Sequence, residues 1–77
     1  MFINITIEIG GLRRDIRIDS EQKIKDGIVV LWESNKIPIG ILPDYFRSRN
    51  NQRPVSSHRT FADEIIFDGD ILTAIVE

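Results

Sequence analysis

The sequence predicts an α+β fold in which a mixed sheet of four or five strands packs on one main helix. Three observations carry that expectation. Isoleucine occurs 15 times, against four valines, four leucines and two alanines, and branching at Cβ suits the pleated surface of a sheet. The chain opens on an alternation, Ile3, Ile5, Ile7 and Ile9 against Asn4, Thr6 and Glu8, which is the two-residue period of a half-buried strand. One stretch, marked by Ile24, Ile28 and Leu31, repeats apolar residues at helical spacing.

The elements follow in order. Phe2 joins the polar row of the first strand and can cap its exposed face. Gly10-Gly11 gives the backbone access to positive φ, the chemistry of a tight hairpin turn. A second strand follows with Leu12, Ile16 and Ile18 on one face and Arg13, Asp15 and Arg17 on the other. Arg14 interrupts the apolar row, so that strand starts near the sheet margin or contains a bulge. Asp19-Ser20-Glu21-Gln22 is a helix start, with Asp19 or Ser20 accepting from free N–H groups and Gln22 completing a capping box. The helix is expected from Gln22 to Asn35 or Lys36, because Pro38 disfavours helical geometry before it. Gly27 lies on the buried side, where a glycine costs about 1 kcal/mol relative to alanine unless close packing requires it.

Ile37 to Asp44, with Pro38, Gly40 and Pro43, reads as an ordered apolar loop. Tyr45 to Arg49 is a short strand, Asn50-Asn51-Gln52 a turn, and Arg53-Pro54-Val55 a short edge strand, since proline cannot donate to a central ladder. Thr60 with Asp63 repeats the helix-cap pattern ahead of Phe61, Ile65 and Ile66. Asp68-Gly69-Asp70 is a turn, and Ile71 to Val76 a closing strand. A right-handed crossover through the helix sets the third strand opposite the hairpin, and the last strand returns beside the first. This is the β-grasp arrangement.

Length and charge bound the rest. The 77 residues allow one small domain, 1–77, with Lys+Arg 10 against Asp+Glu 12 and a net charge of -2. A chain of that size buries only about 60–65% of its unfolded surface. There are no cysteines and one histidine, which excludes disulfides, thiol chemistry and thiolate metal sites. No apolar run is long enough to span a membrane, and the N-terminus lacks a signal layout, so a cytoplasmic location is expected. The near-neutral balance argues against bulk attraction to nucleic acid or anionic lipid.

The ordered pattern resembles a ubiquitin-like domain over the whole chain: the strand pair, the helix, and Thr60-Phe61-Ala62-Asp63 leading to Ile66 and Leu72. More narrowly, it resembles the YukD family of small bacterial ubiquitin-like proteins. That likeness lies in Met1-Phe2-Ile3-Asn4-Ile5-Thr6-Ile7, in Trp32 on the helix, in Tyr45-Phe46-Arg47 through Asn50, and in Phe61 to Leu72. The resemblance implies an accessory component of a type VII (Esx/WXG100) secretion system in a Gram-positive bacterium. Similar domains also form cytosolic parts of the membrane machinery of such systems. The partner implied is a protein of that apparatus, with no small-molecule substrate, and the chain is expected as a monomer or weak homo-oligomer. The sequence departs from ubiquitin at its end. It closes on Val76-Glu77, whereas a transferable modifier or sulfur carrier needs a flexible tail ending in two glycines. A non-conjugating adaptor is therefore expected.

Candidate site residues come from strand alternation and charge. Tyr45 to Ala62 contains Arg47, Arg49, Arg53, His58 and Arg59 without one acid, and Asp63 to Glu77 holds five acids without one base. Tyr45, Arg47 and Arg49 share a strand face, with Phe46 pointing inward. Such a face docks an acidic partner, or it keeps an edge soluble and discourages strand pairing. On the last strand Ile71, Thr73 and Ile75 alternate with Leu72, Ala74 and Val76. Ile71 and Ile75 then sit on the outer face, as binding residues or under neighbouring side chains. Trp32 lies off the helix's buried stripe, either packed beneath the proline-rich loop or anchoring an interface. Nucleic-acid binding by Arg47 to Arg59 lacks a platform of several aromatics. His58 reads as an exposed loop residue, and Asp68-Gly69-Asp70 lacks the remaining ligands of a calcium loop. No nucleophile is paired with a base. No enzyme, cofactor or metal is expected.

Overall fold

The computed structural model describes residues 1–34 and 42–75. β1 (Phe2–Ile9) and β2 (Leu12–Asp19) form the expected hairpin. Gly10 and Gly11 turn it at φ +56° and +81°, a region glycine enters without a Cβ clash. Pairing is continuous from Phe2 opposite Asp19 to Ile9 opposite Leu12, so Arg14 causes no bulge. β2 is instead one of the sheet's two edge strands, where Arg14 is half-buried and donates to the Arg13 carbonyl at 2.8 Å.

α1 (Ile24–Glu33) starts two residues later than the sequence predicts. Neither Asp19 nor Ser20 caps it. The Asp19 carboxylate accepts from the Glu21 N–H at 3.0 Å and from the Met1 ammonium at 3.1 Å. The Glu21 N–H first, then the ammonium, hold that carboxyl below its ordinary value. The stability it adds is therefore present above its unfolded value and lost as pH falls through the depressed folded one. The backbone after Asp19 is committed elsewhere. Ala62 N–H donates to the Ser20 carbonyl, Phe61 N–H to that of Gln22, and Ile24 N–H to that of Arg59. Lys23 takes the N-cap place, and Asp26 in the first turn accepts from its N–H at 3.3 Å. Pairing with the second half of the chain overrides the local cap signal. The helix's expected end near Asn35 and the loop as far as residue 41 lie outside the described residues.

The buried helix face is the expected stripe of Ile24, Gly27, Ile28 and Leu31. A Cβ on Gly27 would sit 3.0 Å from Ile16 Cδ1, 3.4 Å from Ile18 Cδ1 and 3.5 Å from Phe61 Cζ. The glycine thus lets the helix approach β2. Gly27→Ala should be nearly neutral, because the Ile16 methyl can rotate away and the helix gains about 1 kcal/mol of propensity. Gly27→Val overpacks the same contact and should lower unfolding free energy by about 1–3 kcal/mol in urea titration.

β3 (Tyr45–Ser48), the edge strand β4 (Arg53–Ser56) and β5 (Ile71–Ala74) complete a five-stranded sheet of order β2-β1-β5-β3-β4. β5 lies between β1, to which it is parallel, and β3, to which it is antiparallel. This is the predicted return beside the first strand; Val76 lies outside the described residues. Ile3, Ile5, Ile7, Phe46, Val55 and Leu72 from the sheet meet the helix stripe, Phe61 and Ile66 in one core. Ile9, predicted inside, is half-buried against its rim.

The second helix-cap pattern gives a turn only. Thr60 Oγ1 accepts from the Asp63 N–H at 2.9 Å, but the segment ends at Ile65, which has φ +60° and is 51% exposed. Of the predicted apolar trio, Phe61 and Ile66 are buried and Ile65 is not. The inward place beside it belongs to Glu64, which is 5% exposed. Among the described residues no helix is long and apolar enough to cross a membrane.

Candidate protein-docking site

β3 and β5 position the predicted residues. Their register sets Phe46 opposite Ala74, Arg47 opposite Thr73 and Ser48 opposite Leu72. It extends at both ends, with Arg49 N–H donating to the Ile71 carbonyl at 3.0 Å and Ile75 N–H to that of Tyr45 at 3.1 Å. Alternate residues point the same way. Phe46, Ser48 and Leu72 are therefore buried beneath the sheet, and Tyr45, Arg47 and Arg49 stand outside beside Ile75, Thr73 and Ile71. Tyr45 is 54% and Ile75 38% exposed; Ile71 is half-buried. Five of the six candidates share one face. Trp32 does not join them: it is on α1, half-buried against the core on the other side of the sheet.

The basic stretch divides into two kinds of charge. Arg53 and Arg59 converge on the buried Glu64 carboxylate, at 3.7 and 3.1 Å. Glu64 also accepts from the Ser56 N–H at 2.8 Å. Those two arginines satisfy a buried acid, and that clasp fixes the loop after β4. His58, exposed as predicted, has its Nε2 2.9 Å from an Asp44 carboxylate that sequence spacing did not suggest. Only Arg47 and Arg49 of this stretch lack a carboxylate among the described residues. Arg47 donates to the Gln52 carbonyl at 3.4 Å, and the Arg49 side chain has no partner among them. In a chain of net charge -2, two uncompensated guanidiniums beside an apolar pair form a local cationic surface.

A buried carboxylate that the sequence reading missed holds this surface in shape. Asp70, read only as part of a turn, is fully buried. It accepts from Ser48 Oγ at 2.6 Å, the Ile71 N–H at 2.8 Å and the Asn50 N–H at 3.1 Å. Ser48 Oγ in turn accepts from the Asn51 N–H and Nδ2, at 3.2 and 3.1 Å. The signal was present in Ser48: alternation with Phe46 puts its hydroxyl inside, where it needs a partner. Asp70→Ala leaves three donors unsatisfied and should lower stability by about 2–3 kcal/mol. The check is amide hydrogen exchange, which should accelerate most at Asn50 and Ile71.

No protein-family model matches the sequence, and no curated protein does. Solved structures do match. The chain is similar to ubiquitin from Caldiarchaeum subterraneum at TM-score 0.59 and 17% identity, over 100% of this chain and 98% of that one. It is similar to the ubiquitin-like domain of Plasmodium falciparum Dsk2 at TM-score 0.59 and 17% identity, over 97% and 100% of the two chains. The EccD5 ubiquitin-like domain from Mycobacterium xenopi gives TM-score 0.53 and 11% identity, over 100% and 98%. At these identities the likeness is one of fold. The chain has the ubiquitin-like β-grasp fold.

Proposed function

We propose that this chain is an adaptor of a bacterial type VII (WXG100/Esx) secretion system and that it works by docking a protein partner on the β3–β5 face. The observation that carries the docking reading is the outward row of Tyr45, Arg47 and Arg49 beside Ile71 and Ile75, with both arginines lacking a carboxylate among the described residues. Exposed apolar residues supply buried area, and guanidinium forks bind carboxylates. The secretion pathway is supported by the likeness of the opening strand, Trp32 and the second half to the YukD family. The fold it shares with the EccD5 ubiquitin-like domain supports the same reading.

The test is capture from native lysate on the immobilised chain, with partners identified by mass spectrometry. Components of the secretion apparatus should be recovered by the wild type and depleted with Arg47→Glu/Arg49→Glu. Recovery that is equal for both proteins, or of proteins unrelated to secretion, overturns the proposal. WXG100 proteins and an FtsK-type ATPase encoded nearby would give independent support.

A further inference from the structure

The outer face contains an open depression between β3 and the β1–β2 hairpin. Ile71 and Thr73 form its floor, Arg47 and Arg49 one wall, and Glu8 with Arg13 the other. Strand pairing sets Arg13, Glu8, Thr73 and Arg47 in one row across β2, β1, β5 and β3. Adjacent strands are about 4.8 Å apart, so two steps separate the Glu8 and Arg47 backbones by about 10 Å.

Glu8 is the one carboxylate among the residues lining the depression. It does not turn to Arg47. Both Nε and Nη2 of Arg13 donate to Glu8 Oε2, at 3.1 and 2.9 Å. Thr73 Oγ1 donates to Glu8 Oε1 at 3.5 Å. The acid is therefore neutralised from the far side of the hairpin, leaving Arg47 and Arg49 for a ligand. The Glu8 side chain is 30% exposed and that of Arg13 62%, so the acid is the more sheltered member.

We propose that this depression seats an acidic side chain of a partner protein, and that the Glu8–Arg13 ion pair sets how strongly that carboxylate is held. The inference rests on the docking reading of the β3–β5 face and adds to it a seat and two residues outside the predicted set. A carboxylate over Thr73 gains charge-assisted hydrogen bonds from Arg47 and Arg49. It also lies within a Debye length of Glu8, whose repulsion Arg13 offsets. Removing the charge of Glu8 should strengthen binding and removing that of Arg13 should weaken it, though neither residue lies on β3 or β5.

The probe is a blocked hexapeptide of alternating Glu and Val, titrated at low salt into the 15N-labelled chain. Saturable amide shifts are expected at Arg47, Arg49, Ile71 and Thr73. Glu8→Gln should tighten binding by about three- to fivefold and Arg13→Gln should loosen it by a similar factor, with both effects shrinking at high salt. Glu33→Gln, an exposed acid on α1, should bind as wild type. The inference is overturned if Glu8→Gln and Arg13→Gln both titrate as wild type, or if Glu33→Gln tightens binding as much as Glu8→Gln. Should Arg47→Glu/Arg49→Glu abolish binding while the hairpin variants change nothing, the docking face stands and the role of Glu8–Arg13 falls. Shifts confined to other surfaces, or no shifts at all, remove the seat itself. Capture of the secretion partner then decides the wider reading separately.

Discussion

Leu31→Ala should lower the unfolding free energy by about 2–5 kcal/mol, as large-to-small changes at sealed core sites do. Leu31 is 1% exposed and lies on the α1 face with Ile24 and Ile28. Among the described residues one helix covers this sheet face, and a cavity left beneath it relaxes only in part. A small domain has only about 5–15 kcal/mol in total, and the variant should be close to unfolding at ordinary temperature. Urea titration followed by circular dichroism measures the loss. Val30→Ala provides the comparison: Val30 is 45% exposed on the same helix, and its loss should stay within about 0.5 kcal/mol. Equal costs for the two variants would mean that the helix does not face the sheet as described.

Reversing the charges of Arg47 and Arg49 should have the largest effect on binding. Arg47→Glu/Arg49→Glu replaces two guanidiniums that lack carboxylate partners among the described residues with two acids. Affinity for an acidic partner should fall by about tenfold or more at low salt, mainly through slower association. Ile75→Asp acts differently: it places a charge in the apolar part of the contact and should raise the dissociation rate. Both variants should fold, because exposed positions usually shift stability by no more than about 0.5 kcal/mol. Their circular dichroism should match wild type before any binding difference is attributed to the face.

The fold was legible where local period and tertiary environment agree. The alternation of β1 places Ile3, Ile5 and Ile7 inside, and the Ile24–Ile28–Leu31 stripe faces the core. The start of α1 was not legible, because residues 20–24 pair with Arg59, Phe61 and Ala62. No cap preference at Asp19 reports that commitment. The outer face followed from alternation in β3 and β5, but the sorting of its charges did not. Arg53 and Arg59 look equivalent to Arg47 and Arg49 in sequence, yet they serve Glu64, eleven and five residues away. Asp70 is likewise defined by Ser48, twenty-two residues before it. Buried carboxylates with distant donors leave no local period to read.

The central claim is that the outward β3–β5 face is the surface that binds. Its most direct measurement is the amide-shift footprint of the captured partner on the 15N-labelled wild-type chain. The largest perturbations should fall on Tyr45, Arg47, Arg49, Ile71, Thr73 and Ile75, with α1 unchanged. A footprint centred on Val29, Val30 and Trp32, with those six amides unmoved, would contradict the account and move the site to the helix.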